Sequence, residues 1–176
     1  MRVFQPIDLK DVEQGPFTFD GNGWALLTAA KAPAMGESGQ AVNTMTISWG
    51  GMTYIWNKRC AVIYVRESRY TKEFIDEAGR FSLCFFDHEQ FRREMKYLGM
   101  VSGRHEDKIA GARLTVSYDS GIPYFDEAKD VLLCHTLYRQ AFTPEGFVDR
   151  SLRDSFYEKG DEHTMYIAEI RKVMIR

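Results

Sequence analysis

From Asn43 to Trp49 the chain alternates: Thr44, Thr46 and Ser48 fall on one side, Asn43, Met45, Ile47 and Trp49 on the other. A period of two belongs to a β-strand, whose successive side chains point to opposite faces. The strand therefore carries a row of hydroxyls. Such a row, with its backbone amides, suits the polar edge of a flat heterocycle, and Met and Trp can pack against the plane. The same residues also suit a half-exposed edge strand, where Thr is common.

Further strands are predicted over Trp24 to Ala30, Cys60 to Arg66, Phe81 to Phe86, Leu114 to Tyr118 and His163 to Ile175, with a strand pair at Val131 to Ala141. Turn residues separate them. Asp20-Gly-Asn-Gly23 and Gly121-Ile-Pro123 read as turns, Lys31 to Ala41 as a loop, and Gly50 to Asn57 as an irregular aromatic stretch. The start, Met1 to Phe19, reads as an arm with a short helix or strand near Ile7 to Val12. Helical spacing occurs twice. Tyr70, Phe74, Ile75 and Ala78 recur on one face, starting near Ser68 and stopping at Gly79; Phe91, Met95 and Leu98 follow Asp87 and end at Gly99. Many short strands with two or three helices predict an α+β chain, mainly β: an antiparallel barrel with helices packed outside, in one domain over residues 1–176.

Charge and cysteine usage narrow the function. A net charge of -2 gives no basic excess for nucleic acid or an anionic membrane. No apolar run has the length of a membrane span, and the polar start has no signal-peptide core, so a cytoplasmic address is expected. Cys60, Cys84 and Cys134 are odd in number, widely spaced and set in apolar sequence, which reads as buried structural thiols. His88, His105, His135 and His163 are scattered, without zinc spacing. No Gly-x-Gly-x-x-Gly or Walker loop exists, so any pyridine nucleotide is held without a Rossmann unit.

An electrostatic conflict marks the Ser68 helix. Arg69 and Lys72 lie in its first turn and Arg66 just before, where the helix dipole disfavours cations. A bound anion removes the conflict: free backbone N–H groups, the Ser68 and Thr71 hydroxyls and two or three cations make a phosphate cradle. An ordinary Ser cap with solvated basic neighbours is the alternative. A second cluster, Ser102-Gly103-Arg104-His105-Glu106-Asp107-Lys108, offers donors and a close backbone approach at Gly103, with Glu106 and Asp107 diluting the field.

Five segments in register resemble the flavin reductase-like family, flavoproteins with an FMN-binding Greek-key split β-barrel. They are Asn43-Thr-Met-Thr-Ile-Ser-Trp-Gly50, Val65-Arg-Glu-Ser-Arg-Tyr-Thr-Lys-Glu-Phe-Ile75, Gly99-Met-Val-Ser-Gly-Arg-His-Glu-Asp-Lys108, Pro123-Tyr-Phe-Asp-Glu-Ala128 and His163-Thr-Met-Tyr-Ile-Ala-Glu-Ile170. The resemblance runs from about Trp24 to the C-terminus. Two departures stand out: no proline occurs between Pro33 and Pro123, where many members are proline-rich, and Ala168 replaces a frequent glycine.

The resemblance implies a homodimer with one FMN per subunit near the boundary and NADH or NADPH as electron donor. Thr44, Met45, Thr46, Ile47, Ser48 and Trp49 would line the isoalloxazine. Arg66, Ser68, Arg69, Tyr70 and Thr71 would hold the phosphate, with Ser102, Gly103, Arg104 and Lys108 closing the site. Tyr54 and Trp56 would cover the ring, or serve an interface or the core. His163 would stand beside the flavin or nicotinamide, against the alternative of a satisfied strand-end histidine. Expected activity is hydride transfer from nicotinamide to flavin; the alternative is a flavoredoxin-like carrier that keeps its FMN and exchanges electrons with proteins.

Overall fold

The computed structural model describes residues 23–32 and 41–175. In chain order its elements are β1 (Ala25–Lys31), β2 (Ala41–Ile47), β3 (Gly50–Ile55), β4 (Lys58–Arg66), α1 (Tyr70–Ala78), β5 (Arg80–Phe85), α2 (Arg92–Met100), α3 (Lys108–Gly111), β6 (Val116–Asp119), β7 (Ile122–Phe125), β8 (Asp130–Ala141), α4 (Arg150–Tyr157) and β9 (His163–Ile175). Three antiparallel hairpins, β1–β2, β3–β4 and β8–β9, supply six strands of the main sheet. β5 pairs with β1 and β8, and β9 with β4, giving the order β2-β1-β5-β8-β9-β4-β3. The sheet curls far enough to bring β2 against β4.

Curling creates two apolar layers. Inside lie Leu27, Ile63, Val65, Phe81, Leu83, Leu132 and Tyr166, closed at one end by Phe74 and Ile75 of α1. Outside, Leu26, Cys84, Val131 and Leu133 pack under Met95 and Leu98 of α2 and Ile122 and Phe125 of the β6–β7 hairpin. Strands covered on both faces need apolar residues at every position, which is why Ala-Leu-Leu-Thr-Ala-Ala of β1 is uniformly buried. All three cysteines are free and buried, and burial pushes the Cys84 thiol up to about 11.

Several local expectations are corrected. Gly50 to Asn57 is no irregular stretch: β3 is an edge strand joined to β4 by a two-residue turn, with Trp56 and Asn57 at φ 53° and 56°. The turn before β7 is Ser120-Gly121, so Ile122 and Pro123 belong to the strand. Val131 to Ala141 forms one long strand, not a pair, with register shifts that absorb its bend. α1 starts at Tyr70 and α2 at Arg92, each later than expected, and α3 and α4 join them as flanking helices. The expected features in 1–22 and most of the loop after β1 lie outside the described residues. Among the described residues no helix is long and apolar enough to cross a membrane, and no group of three or more His, Cys, Asp or Glu is placed to hold a metal ion.

Candidate functional site

Two adjoining cavities open beside β2 and share Met45 and Arg69. One, of about 210 Å³, is lined by Met45, Thr46, Ile47, Ser48, Trp49, Tyr64, Arg66, Arg69 and His163. Its walls combine the apolar Met45 and Ile47 and the rings of Trp49, Tyr64 and His163 with the guanidinium groups of Arg66 and Arg69. The other, of about 110 Å³, is lined by Asn43, Met45, Ser68, Arg69, Tyr70, Thr71, Met100, Val101, Ser102, Gly103 and Lys108. It brings together segments of β2, α1 and the α2–α3 connection.

Lys108 dominates the smaller cavity. Its side chain is buried, and Nζ donates to the carbonyls of Leu98 (3.0 Å) and Val101 (2.9 Å). Burial, reinforced by the nearby Arg69 guanidinium, holds its pKa down to about 8. Arg69 donates to the Gly99 carbonyl at 3.0 Å. Neither cation forms an ion pair among the described residues. The acidic neighbours expected to dilute the field are engaged elsewhere: Glu106 accepts from Tyr97 Oη, and Asp107 caps α3 through Ala110 N–H. Two adjacent cations, one with a third ammonium proton still to place, suit an incoming anion.

Gly103 completes the wall. A Cβ there would meet Asn43 Oδ1 at 2.2 Å, so only glycine lets this backbone approach so closely. Asn43 is itself buried and donates through Nδ2 to Thr71 Oγ1 at 2.9 Å. Thr71 therefore has its hydroxyl partnered inside the protein.

The helix conflict is resolved partly from within. Asp161 accepts from Ser68 N–H (2.8 Å) and Ser68 Oγ (2.7 Å), placing a carboxylate beside the start of α1. Lys72 pairs with Asp76 and Glu67. The anion that the Ser68 helix demanded is thus in part a side chain 93 residues away. What is left for a ligand is the Arg69–Lys108 pair.

In the larger cavity, Arg66 donates to the carbonyls of Asp161 (2.9 Å) and Phe156 (3.2 Å) and lies over the Tyr157 ring. His163 is buried, with its ring 5.2 Å from that of Trp49. Phe156 meets Trp49 edge-on at 5.6 Å. Burial, then Arg66 with a smaller contribution from Arg69, holds the His163 pKa down to about 4, Asp161 opposing them. Its imidazole is neutral at neutral pH.

Four expected residues sit away from both cavities, among them Tyr54, which lines the separate hollow beside β3. Thr44 is fully buried, sharing its hydroxyl with Thr28 and donating to Leu27 O, because that face of β2 turns into the protein. Arg104 lies over the Tyr70 ring and pairs with Glu73. Trp56 stands at the β3–β4 turn, 54% exposed. Thr46 lines the larger cavity but gives its hydroxyl to Met95 O. Conversely, Asn43, Tyr64, Met100 and Val101 line the site without having been expected there. Asn43 carried a usable signal, a carboxamide within an otherwise apolar set of side chains.

Other hollows lack this convergence. The one of about 570 Å³ beside β3 includes Arg171 and Lys172, already paired with Glu169 and Asp119. The one of about 270 Å³ around Phe142 and Phe147 contains no charged side chain.

Fold and site together define a class: a curled antiparallel barrel with a cationic cavity and an aromatic cavity side by side. The chain belongs to the flavin reductase-like family, whose model, described as a flavin reductase like domain, matches residues 21–176. Among solved structures it is similar to a flavoredoxin from Methanosarcina acetivorans, at 21% identity and TM-score 0.64 over 86% of this chain and 68% of that one. It is also similar to an FMN-binding domain of a flavin reductase-like enzyme from Shewanella baltica, at 16% identity and TM-score 0.61 over 89% and 70%. A third similar structure is nitrilotriacetate monooxygenase component B from Bacillus cereus, at 14% identity and TM-score 0.66 over 99% and 83%. These likenesses establish an α+β split-barrel fold. No curated protein sequence matches the chain.

Proposed function

We propose that the paired cavities bind FMN and that the protein is an NAD(P)H-dependent flavin reductase. The observation that carries this reading is the Lys108–Arg69 pair, two cations without a carboxylate, set beside the Met45, Ile47 and Trp49 wall. A phosphate monoester carries roughly -1.5 to -2 charge near neutral pH, which is what such a pair lacks. A flat ring system would lie along β2 toward Trp49 and His163, with Ser68, Ser102 and Gly103 backing the phosphate end. When bound, the flavin supplies the two-electron chemistry, accepting a hydride from NADH or NADPH. The chain's own part is to bind, orient and exclude water, for which buried Met45, Ile47 and His163 are suited.

A steady-state assay of NADH or NADPH oxidation with excess FMN tests the activity. Rapid nicotinamide oxidation is the expected result. Slow oxidation by a protein that stays yellow through gel filtration would replace it with the carrier reading, which the fold shared with a flavoredoxin makes the natural alternative.

A homodimer belongs to the same proposal. Edge strand β3 exposes Met52 (41%) and Tyr54 (68%), and the turn after it exposes Trp56 (54%), an apolar group on an unpaired sheet edge. Trp56 is assigned to this surface. Sedimentation should give twice the chain mass for the wild type, and Trp56→Glu should shift it toward the monomer; a wild-type monomer at micromolar concentration would contradict the dimer. Three buried, unpaired thiols suit a reducing, cytoplasmic setting.

A further inference from the structure

We propose that Tyr157 is a positioning residue: its hydroxyl donates to Nδ1 of His163, and this leaves Nε2–H as the donor His163 turns to the cavity. The inference rests on the flavin reading for its purpose, though not for its geometry.

Tyr157 Oη lies 2.7 Å from His163 Nδ1, the two rings meeting edge-on at 5.6 Å and 86°. Both side chains are buried, Tyr157 at 5% exposure and His163 at 7%. A neutral imidazole has one donor and one acceptor nitrogen, and a phenol has a single proton to give. Oη has no other hydrogen-bond partner among the described residues. If Nδ1 carried the proton, the buried phenol would have no acceptor for its own, at the cost of an unmade hydrogen bond. The arrangement that satisfies both groups puts the phenol proton on the Oη–Nδ1 line and the imidazole proton on Nε2. Nε2 makes no protein hydrogen bond among the described residues, while His163 lines the larger cavity.

Tyr157 is itself fixed from three sides. It is the last residue of α4. The Arg66 guanidinium of β4 lies 5.1 Å over its ring, and Phe147 packs at 5.4 Å. The charged groups around the pair are Arg66 from β4, Arg69 just before α1, Asp161 and Glu162 from the turn before β9, and Arg153 of α4, which pairs with Glu162. Arg66 and Arg69 both disfavour an imidazolium, as does burial. A neutral ring held by a phenol is therefore a fixed donor, suited to a carbonyl or ring nitrogen of a planar ligand and unsuited to exchanging protons near neutrality.

Nitrogen-15 NMR of the imidazoles in flavin-free wild-type protein tests the geometry, and it needs no variant. His163 should be wholly in the Nε2–H form from pH 7.5 down to 5; an Nδ1–H form would overturn the proposal. Tyr157→Phe should give mixed tautomers, since no phenol proton then fixes Nδ1 as the acceptor. In the flavin-loaded protein the same variant should slow flavin reduction roughly three- to tenfold, the effect of one hydrogen bond, and leave the FMN dissociation constant within about twofold. A variant that keeps the wild-type tautomer would overturn the positioning role. Failure of FMN to bind would sink the flavin reading and leave the tautomer result standing.

Discussion

Lys108→Met is expected to weaken FMN binding about 10- to 150-fold, corresponding to about 1.5–3 kcal/mol for a charge-assisted hydrogen bond, while leaving riboflavin binding nearly unchanged. Methionine keeps an unbranched apolar stem and removes only the ammonium, so the difference between the two flavins isolates the phosphate. Arg69→Ala should act in the same direction, with a loss of similar size. The pH dependence gives a second, independent sign. Phosphate becomes dianionic above about pH 6, and Lys108 in the free protein loses its proton at about 8. FMN affinity should therefore peak between these values and decline as pH rises through 8. The Lys108→Met variant should lack the alkaline decline, and riboflavin should show neither limb. Fluorescence titrations with both flavins at pH 5.5, 7 and 9 decide the matter; equal losses for the two flavins would remove Lys108 from the phosphate site.

Acid should destabilise the protein before its carboxylates protonate. The folded His163 resists protonation down to about 4, whereas an unfolded histidine takes a proton near 6.5. Between these values the unfolded chain binds more protons, so stability is highest above pH 6.5 and falls as pH drops toward 4. From pH 7 to 5 the loss should be about 2 kcal/mol, the slope approaching roughly 1.4 kcal/mol per pH unit below 6.5. Asp76 and Asp119, held below the usual carboxylate range, add their losses at lower pH. Urea unfolding at pH 7 and pH 5 measures the effect, and His163→Gln should flatten it. A wild-type protein equally stable at the two values would contradict the buried, neutral imidazole.

Much of this architecture was legible from residue periodicity. The alternation expected from Asn43 to Trp49 became β2 as far as Ile47, with Ser48 and Trp49 beyond its end, and Gly79 ends α1 at φ 62°, the left-handed conformation expected of it. Where sequence reasoning failed, a local rule had an unusual occupant or a distant partner. The β3–β4 turn needs two left-handed residues, and Trp56 in the first place hid a hairpin that a glycine would have announced. α4 did carry signals, the Asp149 cap and the i, i+4 pair Leu152 and Phe156, in the stretch between the strands expected at Val131 to Ala141 and His163 to Ile175. Hydroxyls on β2 looked available because nothing local shows that α2 covers Thr46 or that Thr28 stands opposite Thr44. Lysine is ordinarily solvated; the burial of Lys108 depends on the carbonyls of Leu98 and Val101, which only the folded α2–α3 connection supplies. Asp161 on Ser68 is likewise a product of β9 lying beside β4.

The central claim is that one planar, phosphorylated ligand fills both cavities at once. Titration of the wild-type protein at pH 7 with FMN and with riboflavin, followed by flavin fluorescence, measures it most directly. The account predicts saturation at one FMN per chain, with riboflavin bound at least about tenfold more weakly, since it lacks the group that Lys108 and Arg69 would hold. Equal affinity for the two flavins, or no binding of either, would contradict it.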